Sequence, residues 1–455
     1  MANYKKFSNA PLAPMLFKMT VPATIAMLAQ ALYNTIDSIF VSGLSQNALS
    51  GMYIVTPIEN VINAVAIGIG IGVNSSMSRS FGKDDHKSAV QYALNGIVIG
   101  VVLWLIFMVV CNVLGDDFVW CFTDNESIFY DGFTYIRMIS NFCIFNILTQ
   151  IGFSICQSSG NMVRPMIAQV VGCALNCLID PILIYGAGPI PSLGIKGAAL
   201  STVSSQCVSM LLTAYLIFGN LNNDKLIKAD KIVIEKNKIW NILKVGIPAS
   251  LTTIVGSVAT SFINIIINPY SDSAIALYGI YYRLYSFTFL PIFGLIRAAM
   301  PILGYCYGAG DHRRYEQTLN RTCIISVCIT TVWALIFFAF PEVLLGLFNP
   351  NEELLKIGPV CFRIMNASFL FVGISIPISN TFGAAGKSIY SFVLSFTRQI
   401  LIILPVLWLL CRNFGLDVGW WAFPIADTLN LVLVFFIYYY FRKKFLKKLF
   451  KQNNS

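Results

Sequence analysis

Two carboxylates lie inside long apolar runs, and the chemistry of this chain is read from them. Asp37 sits near the end of VPATIAMLAQALYNTIDSIFVSG, residues 21 to 43, and Asp180 in the run from 165 to 187. An acid at the centre of a membrane-length apolar helix costs on the order of 3 kcal/mol on insertion scales, so its presence there points to a function. Tyr33 lies one turn before Asp37 on the same face, and Gln30 and Asn34 add polar atoms to that helix. Asn176 and Asp180, four residues apart, share a face, and Pro181 loosens the backbone ladder beside them. With the hydroxyl of Thr202, these groups supply carboxylate, amide, hydroxyl and freed carbonyl oxygens. Such a set suits Na⁺ or a proton shared between neighbouring acids. Two plainer readings stand beside this one: Asp37 reaching water at the interface, and Asp180 capping a proline bend.

For these groups to meet, helices must carry them to one height. At about 1.5 Å per residue, Asp37 lies roughly 28 Å from Lys18 and Asp180 roughly 24 Å from Arg164, while Thr202 on the returning helix lies about 9 Å below Lys196. The chain has 455 residues, 56% hydrophobic and 11% charged, which excludes a soluble protein of this size. It reads as an all-α polytopic membrane protein with twelve spanning helices. They are placed at 15–42, 51–78, 88–114, 130–158, 165–187, 196–219, 241–268, 276–305, 315–340, 356–382, 389–411 and 419–441. The N-terminus lacks a short apolar core with a small-residue cleavage site, so the first helix is expected to act as an uncleaved signal anchor.

Even-numbered crossings put both termini on one side. Most of the 31 basic residues, Lys387 and Arg398 counted among them, fall on that side, and acids such as Asp116, Asp117, Glu352 and Glu353 fall on the other. The bias places both ends in the cytoplasm of a multi-pass protein of the cell membrane. The tail RKKFLKKLFK then faces anionic headgroups, which makes the bilayer the partner of the net charge of +10 and argues against nucleic acid. The twelve cysteines are scattered and form no CxxC pair, so neither a disulfide framework nor a cysteine metal site is expected.

An internal repeat organises the chain. Pro22, Phe81-Gly82, Asp85-His86, Phe122, Asn125-Glu126, Arg137 and Gly160 recur 226 positions later as Pro248, Tyr307-Gly308, Asp311-His312, Phe348, Asn351-Glu352, Arg363 and Gly386. A constant offset over such a span indicates duplication. Six helices per copy give two lobes of the same orientation, related by a pseudo-two-fold axis along the membrane normal around a central cavity. The expected division is 1–219 for the N-terminal lobe, 220–238 for a cytoplasmic linker and 239–455 for the C-terminal lobe with its basic tail. The acidic cluster is not duplicated: the offset carries Tyr33, Asp37, Asn176 and Asp180 onto Ala259, Ile263, Ile402 and Val406. Ionisable chemistry is therefore assigned to the N-terminal half.

These residues carry a family resemblance. The Tyr33–Asp37 turn, the FGKDDH turn at 81–86, Asn176 and Asp180, the GAALST run at 197–202 and AFPIAD at 422–427 resemble the multidrug and toxic compound extrusion (MATE) transporters over nearly the whole chain. The resemblance implies a Na⁺- or H⁺-coupled antiporter that exports amphipathic, often cationic, drugs by alternating access, without a cofactor. It implies that Tyr33, Asp37, Asn176, Asp180 and Thr202 form the coupling site, with Gln30, Tyr135 and Gln150 lining a substrate path. If the ion is Na⁺, its ligands are Asp37, Asn176, Asp180 and Thr202. The seventh helix lacks the acid used by another branch of the family and offers only Asn264 and Asn268. A monomer acting on small molecules is expected.

Weaker signals remain. Arg283 and Asp427 sit at similar depth and are candidates for an ion pair in the C-terminal lobe. Gly68, Gly70 and Gly72 alternate in the second helix and permit close helix contact. GAAGKS at 383–388 imitates a phosphate loop but has Thr381 at its first glycine position and leaves a spanning helix where a strand is needed. The alternatives are a flippase for lipid-linked precursors, which calls for a basic cavity, and a membrane-embedded transferase, which calls for histidines or paired acids beside a polar loop.

Overall fold

The computed structural model describes residues 6–219, 233–348, 350 and 352–446. Of the expected features, Lys5, most of the linker (220–232), Asn351 of the repeat and the tail beyond 446 lie outside the described residues.

Apolar runs of membrane length become helices because only a helix satisfies its own backbone in lipid. Among the described residues twelve spans result, each of two bent helix pairs taken as one span. They are α1 (Leu12–Ser42), α2 (Gln46–Gly82), α3 (His86–Trp120), α4 (Glu126–Phe142 and Ile144–Ser158), α5 (Val163–Tyr185), α6 (Ile195–Phe218), α7 (Lys236–Ile267), α8 (Asp272–Ala309), α9 (His312–Ala339), α10 (Glu352–Asn366 and Phe369–Ala384), α11 (Ile389–Phe414) and α12 (Ala422–Phe441). The start of α1 and the end of α12 thus lie on one face, called here the terminal side; the opposite face is the far side.

The repeat is visible in the turns and bends. Asp85 accepts a hydrogen bond from the Ser88 backbone N–H (2.9 Å) at the start of α3, and Asp311 does the same for Arg314 (2.9 Å) at the start of α9. One residue earlier the backbone turns left-handed in both copies, at Asp84 (φ 58°) and at Gly310 (φ 72°). Gly310 takes this conformation freely, and aspartate is among the few other residues that tolerate it. The fourth helix of each half bends at the corresponding place, by 45° in α4 and 46° in α10.

The three largest apolar cores among the described residues reveal how the lobes meet. One joins both lobes in the terminal half, where Leu16, Ile69 and Val73 pack with Ile242, Ile302 and Phe382. Two others are separate: Val41, Val55, Val119 and Ile184 in the far half of the N-terminal lobe, and Ile267, Leu277, Phe337 and Trp420 in that of the C-terminal lobe. The shared seam is tight because α2 lacks side chains where it crosses α7. A Cβ on Gly68 would lie 2.7 Å from both the Gly246 carbonyl oxygen and the Ser250 backbone nitrogen. Gly72 meets Ile242 in the same way, whereas Gly70 faces Ser154 of its own lobe. At the terminal end Ser75 donates to the carbonyls of Gly383 (2.7 Å) and Ala384 (3.1 Å) across the seam. GAAGKS is therefore part of the lobe contact.

Candidate functional site

Three neighbouring helices of the N-terminal lobe, α1, α5 and α6, bring the expected residues together. Asp37 is 5% exposed, and Asn176, Asp180, Ser201 and Thr202 are fully buried. The Asn176 amide donates to Asp180 Oδ1 (3.3 Å) and to Ser201 Oγ (3.0 Å), and the Tyr33 hydroxyl shares a hydrogen bond with Thr202 Oγ1 (3.2 Å). Asp37 and Asp180 lie within hydrogen-bonding reach of each other. Two ionised carboxylates can only accept, so this contact requires a proton or a small cation between them.

Three buried oxygens of the cluster have no hydrogen-bond partner among the described residues: Asp37 Oδ1, Asp180 Oδ2 and Asn176 Oδ1. A buried polar atom left in this way costs about 1–3 kcal/mol. The set fits a hard cation or a proton, since every donor is an oxygen. Among the described residues no group of three His, Cys, Asp or Glu side chains gathers as a metal centre.

A cavity of about 430 Å³ adjoins the cluster, with Tyr33 in its wall beside Gln30, Asn34 and Gln150. Gln169 donates to Gln30 (2.6 Å) and Gln30 to Asn34 (3.2 Å), a polar strip along α1 and α5. Gln30 and Gln150 both line this cavity. Tyr135 does not; it is buried in the far-half core of the lobe, within electrostatic reach of Glu59. Glu59 itself, on α2, lines the cavity and interacts electrostatically with Asp37 and Tyr33. Sequence reasoning passed over it, although it is the only acid in the apolar run 51–78.

The C-terminal lobe encloses a second cavity, of about 520 Å³, walled by Tyr278, Tyr281, Tyr285 and Arg398. Here two expectations are corrected. Asp427 pairs with Arg398, whose Nε lies 2.6 Å from Oδ1, and it accepts a hydrogen bond from Ser368 Oγ (2.5 Å). Arg283 is exposed on α8 and takes no part. Arg398, counted above with the terminal-side loops, lies inside α11, in a π-helical stretch (Thr397–Ile403). Such wide turns recur at functional sites because they re-aim side chains. Ser368 is available to Asp427 because it sits at the bend of α10.

The two cavities share Met27, Ile67, Gln150, Gln157, Thr253 and Arg297 in their walls, so they adjoin at the junction of the lobes.

With this geometry in hand, the chain can be set beside known proteins. It is 24% identical over 437 residues to a protein of Shewanella oneidensis named "FAD transporter", covering 94% of this chain and 95% of that one. It is 25% identical over 449 residues to "Multidrug export protein MepA" of Staphylococcus aureus, covering 96% of each. Among solved structures it superposes on a MATE protein "in the bent conformation" with TM-score 0.91 and 22% identity over the whole of both chains. It also superposes, with TM-score 0.89 and 22% identity over 98% of each chain, on a Pyrococcus furiosus transporter of the MOP superfamily described as having a binding pocket of reverse polarity. The MatE family model matches twice, over residues 22–182 and 248–409, starting at positions separated by the repeat offset. Two tandem matches covering most of the chain, on a twelve-helix two-lobed fold, place this protein in the MatE family of membrane transporters.

Proposed function

We propose that this transporter is a cation-coupled antiporter that exports amphipathic compounds, with Na⁺ or H⁺ bound at Asp37 and Asp180. The observation that carries this reading is the contact between two acids buried behind a cavity wall, with three oxygens of their cluster lacking protein partners. Occupancy by a cation relieves both the repulsion and the missing hydrogen bonds, so a conformation that holds the cluster this way is favoured by the ion. Coupling needs only that the ion and the substrate prefer different conformations.

In this reading the terminal side is the cytoplasm, both termini lie there, and the conformation described is closed inward and open outward. Asn34 and Tyr282, exposed in the walls of the two cavities, are then reached from outside. The name of the Staphylococcus relative supports drug-like substrates, and that of the Shewanella relative extends the range to larger aromatic molecules. The test is substrate flux from proteoliposomes under separately imposed sodium and pH gradients. One gradient is expected to drive export of an amphipathic dye; flux indifferent to both would refute the reading.

A further inference from the structure

Arg297 is the single charged residue that lines both cavities. It lies on α8, twelve residues from Ala309, roughly 18 Å from the terminal-side end of the helix. The repeat offset carries it back to Ile71, so its charge is no part of the duplicated scaffold. The other arginine in the cavity linings, Arg398, is held by Asp427. Arg297 has no ion-pair or hydrogen-bond partner among the described residues; half-buried against the cavities, it has no acid near it. Guanidinium stays charged in proteins, and a charge at membrane depth without a counter-ion is costly unless it faces a polar cavity that supplies one. Glu59, in the wall of the N-terminal cavity with Arg297, is likewise unpaired and forms no bridge to it. A carboxyl and a guanidinium therefore face one space without pairing.

We propose that Arg297 is the anion subsite of the substrate cavity, taking a carboxylate or phosphate group of the transported molecule while its aromatic or cationic part lies against the walls carrying Glu59 or the tyrosines of α8. This deepens the export reading and rests on it. A planar guanidinium binds either oxyanion through paired N–H donors, and a charge-assisted contact of this kind gives about a tenfold preference or more over a neutral isostere. The substrate class is thus a zwitterionic or anionic amphiphile and not a simple organic cation.

The test uses full-length protein in nanodiscs and two matched pairs of fluorescent probes. Rhodamine 110 carries a free carboxyl where rhodamine 123 carries its methyl ester; flavin mononucleotide carries a phosphate that riboflavin lacks. Binding is read by fluorescence polarisation. The wild type is expected to bind the acid member of at least one pair about tenfold more tightly than the partner that lacks the acid group. Arg297→Gln is expected to bring that ratio to about one, and Arg297→Lys to keep part of it, because lysine retains the charge without the fork. The responding pair tells carboxylate from phosphate. A wild-type ratio near one in both pairs overturns the proposal whether or not the variants fold, as does a ratio unchanged in folded Arg297→Gln. Failure of all four probes to bind would instead refute the export reading, and the subsite with it.

Discussion

Asp37 and Asp180 illustrate how much of a site can be set by two side chains in a low-dielectric medium. Each acid alone would be a liability in a spanning helix; held against each other, they become a place for one positive charge. If that charge is the coupling ion, Asp180→Asn removes half the site and leaves the cavity intact. Dye binding to the purified variant is then expected to stay within about threefold of wild type, while its response to Na⁺ and to pH disappears. An unaltered response, measured by titrating either ion against a bound dye, would show that the ion binds elsewhere. In the C-terminal lobe the offset aligns Asp427 with Ser201 and Arg398 with Gly172, so the acid there is already neutralised by a tethered guanidinium. Removing one partner of a buried pair strands the other and costs about 3–5 kcal/mol, whereas replacing both with apolar residues costs far less. Asp427→Leu is therefore expected to lower the thermal midpoint in detergent more than the double change Arg398→Met with Asp427→Leu. A double variant worse than the single one would contradict this. The acidic cluster was legible in the sequence because acids stand out in apolar runs and helical rise gives their height. The partner of Asp427 was not, since counting residues gives depth and says nothing of which helix stands across the lobe.

The elements show a duplicated scaffold beneath the unduplicated chemistry. Helix positions followed from apolar runs, and the FGKDDH turn and its repeat at 307–312 proved to hold matching N-caps, Asp85 and Asp311. The Ser88 hydroxyl and backbone N–H hold the Asp85 carboxyl below its ordinary pKa. Asp85→Ala is expected to cost about 1 kcal/mol, a drop of about 1 °C in the midpoint for a chain of this length. Because the folded-state pKa is depressed, that contribution is fully present above about pH 4, the unfolded value, and fades as pH falls through the folded one. Melting curves of wild type and variant should then converge at acid pH; a gap that widens there would rule out the cap as its source. The bends of α4 and α10 had no such signal: neither Cys143 nor Ser368, where the helices break, is proline or glycine. The π-helical turn that turns Arg398 inward was equally silent, since a one-residue widening leaves the apolar pattern intact.

At the scale of the whole molecule, one shared core and two separate ones make a pair of lobes sealed at the terminal half. The seal depends on backbone approach at Gly68, where an added methyl group meets backbone atoms that cannot rotate away. Ser75, buried in the seam, is a natural reporter. In a background lacking other reactive cysteines, Ser75→Cys is expected to resist a membrane-impermeant maleimide. Adding Gly68→Ala is expected to raise its labelling rate from the terminal side several-fold, because the cost of forcing α2 off α7 falls on the sealed state alone. No change in rate would show that the seam tolerates the methyl group. The most direct trial of the central claim is gradient-driven dye export in proteoliposomes by wild type and by Asp37→Asn, reconstituted at equal density and checked for folding. With the pair as the coupling site, the wild type accumulates dye against its gradient and Asp37→Asn only lets it equilibrate; uphill transport by the variant at the wild-type rate would contradict the account.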